Sequence, residues 1–171
     1  MLFGGVYARD LRASLPRRGE YPRRAAGEIA RIVVHHAGGG ADRDYSAAEL
    51  AAWHVSGLGW PGIGYSFLVH PDGRIEYVGE WLAASYHCGR LNATSLGVCL
   101  AGDFAARPEG PTDRALMRTR MLVGTIRREL GRDLPVLGHS DLDPALTGYA
   151  RPACPGVNWH VWKDRVYGNH R

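Results

Sequence analysis

The sequence predicts a single α/β domain, a central mixed β-sheet flanked by helices. Three observations predict it. Short β-branched or apolar runs alternate with amphipathic stretches, at least one pair of strands is joined tightly enough to be a hairpin, and 171 residues suffice for one core but hardly for two. An apolar fraction of 45% and a charged fraction of 22% are ordinary for a packed chain. No apolar run approaches the roughly 20 residues of a membrane-spanning helix.

The elements follow in order. Arg31–His36 (RIVVHH) reads as a buried strand halted by AGGGAD. Ser46 with Glu49 three residues on is a capping box before AELAAWHVSGLG, a helix ended by glycines. YSFLVH (65–70), the turn PDG and RIEYVG (74–79) form a hairpin signal. SLGVCLAG (95–102) is a further buried strand. Over 112–130, Leu116, Leu122, Val123, Ile126 and Leu130 mark one helical face, with Thr112 as cap and Gly131 as terminator. PVLGH (135–139) is a short strand ending in histidine, and NWHVWKDRV (158–166) a final helix burying Trp159 and Trp162.

Residues 1–30 are the least patterned part and read as a basic segment preceding a domain of residues 31–171. They hold six arginines against three acids, most of the formal net charge of +4. Such a segment suits anionic cell-envelope polymers or a plain solvated surface arm. The order of its first residues, apolar then arginine-rich, is the reverse of a signal peptide, so a cytoplasmic protein is expected.

Functional residues of such sheets collect at strand ends and the loops beyond. His35 and His36 end the first strand and point to opposite faces. His139 ends a later strand. Cys154 lies in RPACPG, where packing gives little reason for a thiol. Two imidazoles and a thiolate with a fourth position open suit a catalytic zinc. Spacing alone leaves this set no more favoured than histidines and cysteines placed for packing. Cys99, within LGVCLA, reads as a small buried hydrophobe.

IVVHHAGGG, GWPGIGYSFLVHPDGRI, SYHCGRLNATSLGVCLAGDF, GHSD and RPACPG, in that order, resemble the type 2 N-acetylmuramoyl-L-alanine amidase family, which includes phage endolysins and peptidoglycan recognition proteins. The resemblance runs from about Arg31 to Trp162. It implies one zinc ion on His35, His139 and Cys154, the cysteine setting enzymes apart from recognition-only relatives. It implies that Tyr65 stabilises an oxyanion or positions water, that His87 contacts substrate or the departing group, and that Asn92 shapes a loop or contacts peptide. Such relatives often carry Lys or Thr two residues before the cysteine; Pro152 stands there here, so either that auxiliary role is absent or a neighbour such as Arg151 supplies it to the substrate.

The implied activity is zinc-dependent hydrolysis of the bond between N-acetylmuramic acid and L-alanine in bacterial peptidoglycan, as an endolysin reaching the wall after release. The alternative is a non-catalytic peptidoglycan-binding module. A regulator that binds a protein partner and a thiol hydrolase built on Cys154 and His139 are lesser alternatives. A monomer with no nucleic-acid partner is expected. Glu76 and Glu80 are the nearest general-base candidates by sequence. Asp141 and Asp143 orient His139 or cap its loop, His36 packs or supports a neighbour, His54 sits on a helix face, and His70, His160 and His170 read as surface residues.

Overall fold

The computed structural model describes residues 2–3 (backbone only), 5–40, 43–105, 109–150 and 152–167. Its strands are β1 (Leu2–Phe3), β2 (Val6–Tyr7), β3 (Arg9–Asp10), β4 (Arg31–His36), β5 (Phe67–Val69), β6 (Ile75–Tyr77), β7 (Ser95–Leu100) and β8 (Val136–Gly138). β1 and β2 form a small antiparallel hairpin, and the other six make one mixed sheet in the order β3–β6–β5–β7–β4–β8. β4 runs parallel to both β7 and β8, so its apolar residues are covered on both faces. β5 and β6 pair antiparallel around Pro71–Asp72–Gly73, where Gly73 takes the left-handed conformation (φ +83°) that a side chain would resist.

Alternation divides the sheet chemically. Ile32, Val34, Leu96, Val98, Leu100, Phe67 and Val69 face α2 (Asp113–Leu130), α4 (Trp159–Trp162) and α5 (Asp164–Tyr167). Leu68 and Cys99 face α1 (Ala47–Ala52) and the loops. His35, alternating with Val34, lies on this second face. The helices form where their caps predict: Ser46 Oγ accepts from Glu49 N while the Glu49 carboxylate accepts from Ser46 N, and Thr112 Oγ1 accepts from Ala115 N. α1 runs on into one π-helical turn, Trp53–Gly57. The single final helix expected over 158–166 is instead two one-turn helices, because Lys163 N closes on Trp159 O and a fresh turn then starts, burying Val166 beside Trp159 and Trp162.

Residues 5–30 are built into the fold. β3 pairs parallel with β6, Val6, Ala8 and Ile29 are buried, and Leu15 joins the core of the second face. Arg24 is 7% exposed, its guanidinium donating to the carbonyls of Trp81, Asn92 and Ser95. A freely solvated arm is therefore not what these residues form. Two-residue strands carry no readable period, and this hid them in the sequence.

His70 also departs from the expectation of a surface residue. It is 1% exposed, with Nδ1 2.6 Å from Asp44 Oδ1 and Nε2 3.0 Å from Glu76 Oε2. Burial favours the neutral ring, but hydrogen bonds and charge from Glu76 and Asp44 outweigh it and raise the pKa above 6.5. The protonated ring then ties the 43–46 loop to the hairpin. A pKa raised by folding contributes stability that is complete below the unfolded value and is lost as pH rises through the folded value. His70→Gln is thus expected to lower stability most in mild acid. Urea denaturation of both proteins from acid to alkaline pH checks this; a gap that stays constant with pH contradicts it.

Candidate active site

His35 is placed by the end of β4, opposite Cys99 on β7. Its neighbour β8 pairs Gly138 with Val34 and so delivers His139 beside it, with ring centroids 4.5 Å apart. The turn carrying His139 is closed by Asp141, whose Oδ2 accepts from Gly138 N and from Trp159 Nε1. Asp143 caps α3 (Pro144–Thr147) by accepting from Ala145 N, so both aspartates serve the loop. Cys154 is brought in by its loop: its carbonyl accepts from Ser140 N, and its Sγ accepts from His36 N at 3.3 Å. Sγ lies 3.6 Å from His35 Nδ1, and His35, His139 and Cys154 each offer one ligand atom, all within 4.8 Å of one another.

Hydrogen bonds orient the first imidazole. Ser95 O only accepts, so His87 Nε2, 3.2 Å away, carries a proton and leaves Nδ1 as an acceptor. That nitrogen is 2.9 Å from His35 Nε2, which donates to it. His35 Nδ1 is thereby left unprotonated on the side of Cys154. Burial, then neighbouring His139 and His87, hold the His35 pKa well below 6.5, and burial lowers that of His139 to about 4. Both rings are neutral and able to ligate near pH 7.

Burial pushes the Cys154 thiol up to about 12, so without a cation it holds its proton. A thiol hydrolase needs a ready thiolate, which this burial disfavours. The donor set does fit zinc. Tetrahedral coordination with Zn–N near 2.0–2.1 Å and Zn–S near 2.3 Å separates nitrogen from sulfur by about 3.6 Å, the distance found between His35 Nδ1 and Cys154 Sγ.

Tyr65 approaches from the segment before β5, its ring centroid 5.2 Å from that of His35. Burial, reinforced by Cys99 and Cys154, raises its hydroxyl pKa well above 10, so it remains a donor. His54 supports it, edge-on to Tyr65 at 5.5 Å, stacked on Trp60 and accepting from Gly64 N.

His87 is buried against His35 and packed over Gly97, where an added Cβ would lie 3.0 Å from the imidazole. The contact the structure gives it is with a ligand candidate, His35. Asn92 shapes the loop: its Oδ1 accepts from both His87 N and Cys88 N. Glu76 is engaged by His70 and Arg74, and Glu80 by Arg12, which occupies both general-base candidates elsewhere. Cys88 is fully buried beside His87, its Sγ 3.8 Å from His87 Nε2, and burial pushes its thiol up to about 11. His36 packs as expected, accepting from Phe104 N. Arg151 lies outside the described residues. Sequence reasoning missed Tyr149, whose hydroxyl hydrogen-bonds His139 Nε2; no motif marks it.

Comparison with known proteins agrees with this geometry. A family model described as N-acetylmuramoyl-L-alanine amidase matches residues 25–157. The endolysin of Enterobacteria phage K11 is 28% identical over 138 residues, 79% of this chain and 85% of that protein. Peptidoglycan-recognition protein SC1a/b of Drosophila simulans is 24% identical over 141 residues, 80% and 71% of the two chains. Among solved structures, the endolysin amidase LysCS of Clostridium intestinale superposes with a TM-score of 0.71 at 20% identity, covering 94% of this chain and 95% of that one. The strand order, the cluster at the ends of β4 and β8 and the matched family model lead to one conclusion: the chain belongs to the N-acetylmuramoyl-L-alanine amidase family.

Proposed function

We infer that the protein is a zinc-dependent, phage-type lysis enzyme that hydrolyses the amide between N-acetylmuramic acid and L-alanine in bacterial peptidoglycan. The observation that carries this reading is the convergence of two neutral imidazoles and a thiol, their ligand atoms within 4.8 Å of one another and one nitrogen–sulfur pair at the spacing of tetrahedral zinc. His35, His139 and Cys154 hold the ion. Zinc supplies a Lewis acid that polarises the scissile carbonyl and acidifies the attacking water. Tyr65, kept protonated by burial, donates to the carbonyl oxygen as negative charge develops there. His87 is a positioning residue: it fixes the tautomer of His35 and thereby the nitrogen that faces the metal.

That assignment separates metal binding from chemistry. His87→Phe, which cannot accept from His35 Nε2, and Gly97→Val, which displaces the His87 ring, are both expected to weaken zinc binding by roughly 10–100-fold. Competition with a chromophoric chelator reads this directly. Unchanged zinc affinity in both variants contradicts the positioning role.

Digestion of purified sacculi tests the function itself. Solubilisation that stops on chelation and returns with zinc is the expected result. Solubilisation indifferent to chelation refutes the metal. Tight binding with no release makes the protein a recognition module, the activity named for the Drosophila relative.

A further inference from the structure

The face of α2 turned away from the sheet has a pattern that chemistry at the cluster does not use. Between residues 114 and 128 the helix carries five arginines and no aspartate or glutamate. Arg114 and Arg120 are exposed. Arg118 is half-buried and donates to the carbonyls of Gly73 and Tyr7, which fixes its position without neutralising it. Met117 and Met121, one turn apart among these arginines, are 54% and 42% exposed, and Tyr7, tied in by Arg118, is 63% exposed. Of the carboxylates nearby, Asp113 pairs with Arg165 and Asp72 pairs with Arg74 and faces Arg114 at the N-terminal end, while at the other end Glu129 is exposed and Asp133 pairs with Arg127, leaving Arg114, Arg118 and Arg120 as the arginines around the methionines.

Guanidiniums alone suit any polyanion. Two thioethers and a phenol set among them have no use for a soluble polymer, whereas a lipid surface offers both phosphates and an apolar layer beneath. We propose that this face docks the protein on an anionic lipid bilayer, with the arginines at the headgroup phosphates and Met117, Met121 and Tyr7 entering the interface. The contact is peripheral, since no helix among the described residues is long and apolar enough to cross a membrane. α2 packs on the sheet face opposite His35, so docking turns the cluster away from the lipid. That orientation rests on the amidase reading; the docking does not.

The test mixes the full-length, zinc-loaded protein with vesicles of phosphatidylglycerol and phosphatidylcholine, or of phosphatidylcholine alone, and reads the bound fraction by co-sedimentation. Binding to the anionic vesicles only is expected. Arg114→Gln with Arg120→Gln should lower the partition coefficient roughly tenfold or more. Met117→Ser with Met121→Ser should lower it severalfold even in salt that screens the arginines. Both double variants should keep the parent circular dichroism and hydrolysis of solubilised peptidoglycan fragments. Absence of binding to anionic vesicles, or equal binding by the arginine variant, overturns the proposal. Equal binding by the methionine variant together with complete competition by dextran sulfate also overturns it, in favour of a soluble-polyanion patch. Vesicle binding by a protein found inactive on peptidoglycan upholds the docking and removes only the reading of the cluster.

Discussion

Cys154→Ala is expected to abolish zinc retention and amide hydrolysis together while leaving the fold in place. The thiol accepts a hydrogen bond from His36 N and faces His35 Nδ1, and these are its polar contacts in the cluster. It belongs to no part of the apolar core, so its loss creates no large cavity. Removing it leaves two neutral imidazoles, which bind zinc far more weakly than a set with a thiolate. The loss of zinc affinity should exceed the roughly 10–100-fold caused by removing an outer hydrogen-bond partner. Cys154→Ser, isosteric but with a hydroxyl that stays protonated, should behave nearly as badly. Metal analysis after dialysis, alongside near-ultraviolet circular dichroism, separates loss of the ion from loss of the fold. A Cys154→Ala protein that keeps one zinc and hydrolyses normally refutes the ligand set.

Tyr65→Phe is expected to do the reverse, retaining zinc and losing turnover. The ring keeps its contacts with His35 and His54, so the cluster stays formed. Only the hydroxyl donor is lost. Removal of one donor to a developing oxyanion lowers kcat by about a hundred- to a thousandfold. An interaction made only in the transition state lowers kcat and kcat/KM equally. Steady-state kinetics on a defined peptidoglycan fragment, with zinc content measured on the same sample, checks it. A change confined to KM makes Tyr65 a substrate-binding residue instead.

The sheet was legible where strands are long and covered on both faces. Val33 and Val34, and Leu96 to Leu100, declare β4 and β7 by apolar character alone, and the parallel pairing of these strands follows from that burial. α2 was legible from Thr112, Gly131 and its stripe of buried residues. β3 was not, because two residues paired with β6 have no period of their own. Strand ends and a stiff loop marked His35, His139 and Cys154 as candidates, but spacing alone did not separate them from packing residues, and it was the family resemblance that joined them into one set. What surrounds them was less legible. His87 meets His35 because Gly97 leaves room for its ring, a relation between a loop and a strand that no local motif encodes. His70 looked like a residue at the edge of a turn, and only the fold brings Asp44 and Glu76 to its two nitrogens. Tyr149 meets His139 across a helical turn that the sequence marks only with its proline and glycine.

The most direct measurement is mass spectrometry of the products released from purified peptidoglycan by the zinc-loaded protein. The convergence of His35, His139 and Cys154 beside Tyr65 predicts intact glycan strands and free stem peptides that begin with an unblocked L-alanine amine, formed only when zinc is present. Fragments that retain the muramic acid to L-alanine bond, cut instead in the glycan or further along the peptide, would contradict it.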